Sequence, residues 1–298
     1  MSILIPIIFV HRSNSAYLKY TLKQARYFNP ETPVYLIGDE SNNKYDFITH
    51  INIDKYLDSA QKFSEIYVHM SHAPFEFEKF CFERWFIVKD FVTKNNISQF
   101  LCLDSDVLLS CNSEYLCNNY SHFKFTVRGK GGAGVNYFSD CKYLIDFCIF
   151  ITGYYSIPQR FIILENYWTE FKKRGDGGNC DMVLFSLYLE ENKDEIGDTG
   201  RIKNNEIAEY CLVDLDGIVK NDMIYKKRGS IFFKKKDTQT EIRINAFHVN
   251  INKDKIYRYY LGSGLYKEQL LDAFKDLRDK YQLRTRIRNF FNTITKRN

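Results

Sequence analysis

The apolar segment near the start of the chain limits the fold more than any other feature of the sequence. Ile3 to Val10 form a continuous apolar run of strand length, without the polar alternation of a half-exposed strand. Such a run is typical of a strand in a parallel sheet that helices cover on both faces. Apolar residues at close to helical spacing follow it: Leu18, Leu22, Ala25 and Phe28. The sequence therefore predicts a strand and then a helix, which is the beginning of a βαβ unit.

The alternation of strands and helices continues through the first third of the chain. Strands are predicted from Pro33 to Gly38 and, as a short element, from His50 to Asp54. A helix is predicted from apolar residues at i, i+4, i+7 and i+11, which are Cys81, Trp85, Val88 and Val92. Alternating elements of this kind indicate an α/β fold with a mostly parallel central sheet flanked by helices.

The remaining two thirds of the chain have a mixed pattern, with no repeat and no low-complexity linker. A strand is predicted from Lys124 to Arg128 and a glycine-rich loop from Gly129 to Asn136. Strands are also predicted within Met223 to Val249, with a turn at Arg228-Gly229-Ser230. Helices are predicted at Tyr143 to Phe150, Phe161 to Lys173 and Asp181 to Leu189, and at the C-terminus from Leu271, Phe274, Leu277 and Tyr281.

Composition is that of a folded protein without a membrane span. With 298 residues, 45% of them hydrophobic, the chain can bury a full core. The longest apolar run is far shorter than the roughly 20 residues of a membrane helix. No basic residue precedes that run and His11 and Arg12 follow it, unlike a secretory signal. The eight cysteines have no C-x-x-C or metal-ligand spacing, which predicts reduced core thiols in a cytosolic protein.

The net charge of +5 is concentrated at the C-terminus. Lys280 to Asn298 contain six basic residues and no acidic one, which leaves 36 basic against 37 acidic residues in the rest of the chain. Nucleic-acid binding needs a basic face on the folded domain, and a neutral body does not support it.

Two carboxylates interrupt the apolar run from Phe100 to Leu109, whose sequence is FLCLDSDVLL. Because side chains alternate along a strand, Asp104 and Asp106 are predicted to point to one side at its carboxyl end. Paired carboxylates suit a hard divalent cation such as Mg²⁺ or Mn²⁺, and open α/β sheets bind ligands at this edge. The alternative interpretation is a strand that ends in a solvated acidic turn.

Together these segments resemble the glycosyltransferases of the GT-A fold. The resemblance is carried by IPIIFV followed by SNSAYLKYTLKQA, by the helix FERWFIVKDF, by FLCLDSDVLL and by the late histidine of FHVNINKDK. It implies transfer of a sugar from a nucleotide-sugar, most simply a UDP-sugar, to a glycan or lipid-linked glycan acceptor, as in surface polysaccharide synthesis. It also implies that Mn²⁺ or Mg²⁺ bridges the diphosphate, with Asp104, Asp106 and His248 as ligands. The alternative for His248 is an ordinary hydrogen-bonded histidine.

The resemblance also implies a division of the chain. Residues 1–110 are predicted to form the nucleotide-sugar-binding half and residues 111–264 the acceptor-side half of the same GT-A domain. Residues 265–298 are predicted to be a helical, basic C-terminal tail. The nucleotide-sugar is expected to contact Arg84, Asp104 and Ser105. Lys253 or Lys255 is expected to reach a phosphate. The end of the first strand is expected to contact the nucleotide through His11, Arg12, Ser13 and Asn14.

Two charged residues have both a functional and a structural interpretation. Arg84 lies on an apolar helix face, where an unpaired guanidinium is costly, so it needs an anion. That anion is a donor diphosphate, or Glu83, Asp90 or another carboxylate. Asp181 opens a helical stretch; similar enzymes place a catalytic acid here that faces the acceptor, as a general base or a positioning group. Helix capping and the helix dipole explain Asp181 equally well.

Two further motifs have weaker interpretations. Residues 129–134, GKGGAG, match G-x-G-x-x-G, but no acid lies about 20 residues further on, as a dinucleotide site requires. The segment is therefore predicted to approach the donor sugar or acceptor, or to be a simple turn. Asp214 and Asp216 form a second acidic pair, interpreted as a reserve metal site or a solvated turn.

The basic tail predicts contact with a membrane surface. Apolar residues at helical spacing lie among its basic residues, at Ile287, Phe290, Phe291 and Ile294. A basic amphipathic helix of this kind lies on anionic lipid. This predicts a cytoplasmic protein at the inner face of the membrane. The alternatives are a helix packed on the domain or a frayed terminus.

Two rival functions follow from the same features. A sugar-phosphate nucleotidyltransferase also uses acidic metal sites in an α/β fold, but its glycine-rich, basic first loop is missing after Val10. The other rival is a non-catalytic peripheral membrane adaptor that acts through the tail. Substitution of Asp104 and Asp106 by Asn distinguishes an enzyme from an adaptor, since only an enzyme depends on the metal.

Overall fold

The computed structural model describes residues 4–213, 222–235, 238–262 and 267–278, together with residues 265 and 282. Up to the acidic motif the elements are β1 (Ile7–His11), α1 (Leu18–Phe28), β2 (Val34–Gly38), β3 (Thr49–Asn52), α2 (Asp58–Ser64), α3 (Phe75–Lys94) and β4 (Phe100–Leu103). Then come β5 (Val107–Leu109), α4 (Ser113–Asn118), β6 (Phe125–Val127), β7 (Val135–Phe138), α5 (Cys141–Ser156), α6 (Pro158–Arg174) and α7 (Asp181–Glu191). The last strands are β8 (Ile196–Asp198), β9 (Ile202–Lys203), β10 (Glu206–Cys211), β11 (Met223–Lys227), β12 (Ser230–Lys234) and β13 (Glu241–His248). Residues 267–278 form a further helix, called here the C-terminal helix.

Seven strands form the central sheet, in the order β3-β2-β1-β4-β7-β6-β8. All neighbours pair in parallel except at β7, which is antiparallel to both β4 and β6. The predicted α/β fold with a mostly parallel sheet flanked by helices is confirmed. It is the architecture that the resemblance to GT-A glycosyltransferases implied.

The first strand shows why the chain begins with an unbroken apolar run. Ile8 and Val10 pack in the core under α3, α5 and α7, whereas Ile7 and Phe9 pack in a second core with α1 and α4. Successive residues of β1 therefore point into two different cores, one on each face of the sheet. Because both faces are covered, a polar side chain anywhere from Ile7 to Val10 would lose burial energy, whereas His11 lies at the partly exposed end of the strand.

A second, six-stranded sheet lies beside the first, in the order β11-β12-β13-β10-β9 with β5 also paired to β13. The predicted turn between β11 and β12 is confirmed, and both of its central residues have positive φ: 49° at Arg228 and 71° at Gly229. Two consecutive left-handed residues are the geometry that suits the twist of a two-residue hairpin. The last strand of this sheet, β13, ends at His248.

The segment FLCLDSDVLL is not one strand, contrary to the prediction. β4 ends at Leu103, the N–H of Val107 donates to the carbonyl oxygen of Asp104 at 3.0 Å, and β5 then pairs with β13 in the second sheet. Two carboxylates inside a strand covered on both faces would be desolvated without partners. A turn between the two sheets lets Asp104 and Asp106 face cations instead.

Several other elements differ from the predictions. The strand β7 begins inside the segment that was predicted to be a glycine-rich loop. Short elements such as α2, α4, β8 and β9 were not predicted, because segments this short have little periodicity. The buried strand β10 was not predicted either, because Glu206 and Glu209 interrupt its apolar residues. Three predicted features lie outside the described residues: the acidic pair Asp214 and Asp216, Tyr281 of the predicted C-terminal helix, and the basic segment from Lys280 onwards except for Gln282.

All eight cysteines are free thiols, and five of them are buried: Cys102, Cys111, Cys117, Cys148 and Cys211. Among the described helices, none by itself combines the length and apolar character of a membrane span; α5 and α6 would do so only jointly, and they meet at an angle of 81°.

Candidate metal and nucleotide site

Strand register brings the late histidine to the acidic turn. His248 at the end of β13 pairs with Val107 of β5, so it lies next to Asp106. The N–H of Val249 donates to the carbonyl oxygen of Asp106 at 3.1 Å, which fixes the two segments together. The acidic turn also follows β4, whose neighbour β1 ends at His11 on the same edge of the central sheet. The site therefore lies at the carboxyl edge of parallel strands, where open α/β sheets bind ligands.

The three residues predicted as metal ligands converge. Nε2 of His248 lies 3.3 Å from Oδ1 of Asp106 and 3.7 Å from Oδ2 of Asp104. One donor atom from each residue lies within 4.8 Å of the others. Two carboxylate oxygens and one imidazole nitrogen are a donor set that fits Mn²⁺ or Mg²⁺. Both ions commonly complete their coordination with water and substrate phosphate, so three protein ligands suffice.

A buried carboxylate that the sequence analysis missed orients the histidine. Oε1 of Glu209 lies 3.1 Å from Nδ1 of His248, and Oε2 accepts a hydrogen bond from Thr199 Oγ1 at 3.0 Å. A carboxylate at Nδ1 holds the ring so that Nε2 faces the aspartates. Glu209, His248 and Cys211 also have the spacing of metal ligands, but the carboxylate pair is the harder site and suits Mn²⁺ or Mg²⁺ better. An acid in the middle of the buried strand β10 was the available signal, since such an acid needs a partner.

Asp106 is surrounded by cations. Burial alone would raise the pKa of its carboxyl, but the neighbouring His248 and the Lys253 ammonium, 2.7 Å away, outweigh burial and hold that pKa well below its usual range. Burial in turn lowers the pKa of His248, yet the adjacent Asp106 outweighs it, so the pKa of this imidazole is raised. In this state positive side chains neutralise the carboxylate. A bound divalent cation would supply the same charge and free Lys253 for another anion.

Arg84 joins Asp104, the other carboxylate of the predicted metal site, to Asp181. One end of the guanidinium donates to Asp104, and Nη2 donates to Oδ2 of Asp181 at 2.7 Å. Burial raises the pKa of Asp104 and outweighs the opposing effects of Arg84 and His248. The anions that Arg84 needed are thus two carboxylates, and neither is Glu83 or Asp90. Nε of Arg84 is buried and has no hydrogen-bond partner among the described residues.

Asp181 is held by its contacts with α3 rather than by its own helix. It begins α7 and is 3% exposed, and Oδ2 also accepts a hydrogen bond from Trp85 Nε1 at 2.9 Å. No side-chain hydrogen bond caps α7, so the capping interpretation does not apply; the helix dipole still favours a carboxylate in this first turn. The side chain lies in the same ion network as the predicted metal ligands.

The residues predicted after the first strand divide between the site and the neighbouring helix. His11 faces the site, and burial together with the Lys253 charge lowers the pKa of its ring to about 4, so it is neutral at pH 7. Arg12 instead points to α3, where it pairs with Glu83 at 3.1 Å and lies over the ring of Phe80 at 4.3 Å. The structure therefore brings His11, but not the Arg12 guanidinium, toward the acidic turn.

Ser13 and Asn14 form an exposed loop above the sheet edge. Ser13 has a φ of 71°, in the left-handed region that residues with a Cβ seldom adopt. Its N–H donates to Oδ2 of Asp39 at 2.6 Å, which holds this conformation. Asp39 directly follows β2 and was missed by the sequence analysis, although its position after Gly38 at a strand end was a signal.

Ser105, between the two aspartates, contacts the start of α1. Its Oγ lies 3.1 Å from the hydroxyl oxygen of Tyr17, and Nζ of Lys253 lies over the Tyr17 ring at 5.6 Å. Tyr17 was also missed, because a single tyrosine before a helix carries no distinctive pattern. It links the acidic turn to the lysine that neutralises Asp106.

The glycine-rich segment 129–134 packs against the site. Its carbonyl oxygen at Gly134 accepts the N–H of Asp104 at 2.9 Å. A Cβ at this position would lie 2.3 Å from Nδ1 of His248 and 2.4 Å from Oε1 of Glu209, so only glycine fits. Strand β7 rather than a helix follows, which is not the arrangement of a dinucleotide-binding motif. The segment therefore packs directly against two of the predicted metal ligands, Asp104 and His248.

Gly134→Ala is expected to lower Mn²⁺ affinity about 10-fold to 100-fold, since the new methyl group displaces His248 or Glu209 and disturbs the orientation of the imidazole. Isothermal titration calorimetry with Mn²⁺ measures this. Gly153→Ala is the matched control, because its added Cβ meets no atom closer than Nη1 of Arg160 at 3.2 Å. Equal affinity in the two variants would show that the close approach at Gly134 does not matter for the metal.

Comparisons with known proteins find only distant structural likenesses. No protein-family model and no curated protein matches the sequence. Among solved structures, mouse xyloside xylosyltransferase 1 is 12% identical, with a TM-score of 0.46, over 84% of this chain and 99% of that chain. The glycosyltransferase GlyE of Streptococcus pneumoniae TIGR4 is 14% identical, with a TM-score of 0.34, over 68% of this chain and 46% of its own. The bifunctional glycosyltransferase WbbM is 9% identical, with a TM-score of 0.39, over 70% of this chain and 40% of its own. This chain thus spans less than half of GlyE and WbbM, and likenesses this distant assign no substrate to it.

Proposed function

We propose that this protein is a metal-dependent glycosyltransferase that moves a sugar from a nucleotide-sugar, most simply a UDP-sugar, to a glycan or lipid-linked glycan acceptor. The observation that carries the proposal is the convergence of Asp104, Asp106 and His248 at the carboxyl edge of parallel strands, with Lys253 and Arg84 beside them. Carboxylates alone would be enough to bind a free metal ion. The positive side chains beside these carboxylates suit a metal ion that binds together with an anionic ligand.

A diphosphate leaving group matches these charges. Negative charge grows on the diphosphate as the bond to the sugar breaks, and Mn²⁺ or Mg²⁺ held by Asp104, Asp106 and His248 would act on it as a Lewis acid. Once a metal replaces the Lys253 ammonium at Asp106, this ammonium is free to donate to a phosphate oxygen. Preorganised donors of this kind stabilise charge in a transition state more than in the ground state.

The donor and the acceptor are assigned to different sides of the site. We assign the nucleotide to the edge formed by His11, Ser13, Asn14 and Ser105, which agrees with residues 1–110 as the donor half. Asp181, on the far side of Arg84, is assigned to the sugar being transferred and to the acceptor, within residues 111–264. The hydrogen bonds from Arg84 and Trp85 to Asp181 support this, because they fix the carboxylate in one orientation.

Thermal shift with a panel of nucleotides, each with and without Mn²⁺, tests the proposal. We expect UDP to raise the melting temperature by several degrees only when Mn²⁺ is present, since a ligand at about 100 times its Kd adds about 2.7 kcal/mol to stability. Mn²⁺ alone should give a smaller shift. If no nucleotide stabilises the protein in the presence of metal, there is no donor site of the kind proposed.

The products distinguish this proposal from its rivals. A glycosyltransferase releases a nucleoside diphosphate from a nucleotide-sugar, whereas a sugar-phosphate nucleotidyltransferase releases pyrophosphate from a nucleoside triphosphate. A non-catalytic adaptor releases neither and is indifferent to loss of the metal ligands. Incubation with UDP-sugars and acceptor extracts, and separately with a nucleoside triphosphate and sugar 1-phosphates, followed by assay of both products, separates the three.

A further inference from the structure

The C-terminal helix, residues 267–278, turns its acidic side toward the body of the protein. Asp272 accepts a hydrogen bond from the hydroxyl of Tyr20 and pairs with Nζ of Lys19 at 3.1 Å. One turn further on, Asp276 pairs with the guanidinium of Arg258. These ion pairs hold the acidic side of the helix on the domain, where Ala273 also packs against the third hydrophobic core.

The apolar side of the same helix faces outward. Leu271 is 59% exposed, Phe274 65% and Leu277 61%, and Leu270 beside them is 40% exposed. Spacings of three and four residues place these side chains on one side of a helix. A helix on a folded domain normally buries this stripe and exposes its charges, so the arrangement here is inverted.

The charged side chains of the C-terminal helix are also divided between its inward and outward sides. Within 267–278 every exposed side chain is apolar or basic, the basic ones being Lys267, Lys275 and Arg278, whereas the acids Glu268, Asp272 and Asp276 are all partly buried. After Asp279, the sequence adds six basic residues and no acid between Lys280 and Asn298. An outward surface that is both apolar and basic is complementary to anionic lipid, which offers an apolar interior under a negative surface.

We propose that the outward face of the C-terminal helix, formed by Leu270, Leu271, Phe274 and Leu277 with Lys267 and Lys275, binds an anionic membrane surface. Apolar side chains enter the boundary between headgroups and acyl chains while the lysines contact the headgroups. The ion pairs of Asp272 and Asp276 keep the helix fixed to the domain, so the whole protein is held in one orientation. This inference goes beyond the proposed function and does not depend on it.

Flotation with lipid vesicles tests this surface in the full chain. We expect binding to vesicles of phosphatidylcholine with phosphatidylglycerol, little binding to phosphatidylcholine alone, and release by salt, because the headgroup attraction is screened. The double variant Leu271→Glu/Phe274→Glu should lower the partition coefficient about 10-fold or more, through loss of apolar burial and added negative charge. Ile149→Glu is the matched control: Ile149 on α5 is 65% exposed, as is Phe274.

Three outcomes would overturn the proposal. The full chain could fail to float with anionic vesicles, or the double variant could float as well as the wild type, which would assign binding to another segment. The third is a concentration-dependent dimer in light scattering that the double variant abolishes, since the face would then bind a second copy. Circular dichroism checks that the variant folds, which its exposed positions predict. Asp106→Asn should float normally, so failure of the metal site and failure of this surface are distinguishable.

Discussion

Asp106→Asn is expected to lower Mn²⁺ affinity about 100-fold or more and to abolish Mn²⁺-dependent nucleotide binding. The substitution removes a negative charge from a site that has only two carboxylates and one imidazole for the metal. It also leaves the Lys253 ammonium without the carboxylate with which it now pairs, which places positive charge where the cation must bind. Loss of a direct ligand should exceed the 10-fold to 100-fold effect of losing an outer-shell partner. Titration calorimetry with Mn²⁺ measures the metal affinity, and a second titration with UDP in the presence of Mn²⁺ measures nucleotide binding.

The control for this substitution makes the same chemical change at an exposed position. Asp146→Asn on α5 removes a carboxylate that is solvent-exposed, and it should leave metal and nucleotide binding unchanged. The melting temperatures of both variants establish that each is folded. Wild-type Mn²⁺ affinity in Asp106→Asn would remove this residue from the metal site and leave the second group, Glu209, Cys211 and His248, as the alternative.

Asp181→Ala is expected to lower the free energy of unfolding by about 3 kcal/mol, because it breaks a buried ion pair. Both groups that now donate to this carboxylate, the Arg84 guanidinium and the Trp85 indole, lose an acceptor. Arg84 keeps only Asp104 as a carboxylate partner among the described residues, so its position at the metal site also changes. Urea denaturation followed by tryptophan fluorescence measures the loss.

Asp181→Asn separates the structural role of this residue from a chemical one. The amide oxygen can still accept the Trp85 hydrogen bond, so we expect only part of the stability loss seen with alanine. If Asp181 acts on the acceptor or the transferred sugar, turnover with a UDP-sugar should fall about 100-fold or more, as expected for loss of a positioned acid or base, in a protein that still binds UDP and Mn²⁺. Wild-type turnover in Asp181→Asn would restrict the residue to a structural role.

Local patterns predicted the elements with long or continuous apolar signals. The run before His11 and the strand that ends at Gly38 were found because parallel strands buried on both faces have no polar alternation. α1 and α3 were found because each buries a periodic stripe against one core. β8 and β9 were missed because strands of three and two residues depend on their neighbours more than on their own residues, and β10 was missed because Glu206 and Glu209 interrupt its apolar residues.

The sequence predicted only part of the candidate site, and the geometry that it predicted for the two aspartates was wrong. Asp104 and Asp106 were expected to share one face of a single strand, whereas they lie in a turn between two sheets. His248 was expected from its place in the chain relative to them, and strand pairing brings it to them. Neither Glu209 nor Gly134 was predicted, because their roles depend on contacts with His248 that no local pattern encodes.

The sequence by itself determined the α/β alternation, the burial of both faces of the first strand, the acidic motif and the basic C-terminus, since each is a property of consecutive residues. Only the tertiary structure decided which charges neutralise one another: Lys253 with Asp106, Arg84 with both Asp104 and Asp181, and Glu209 with His248. It also decided that the C-terminal helix turns its acids inward. The reason is physical: a Coulomb interaction depends on distance in space and on exposure to water, and both are set by strand register and packing between segments far apart in the chain.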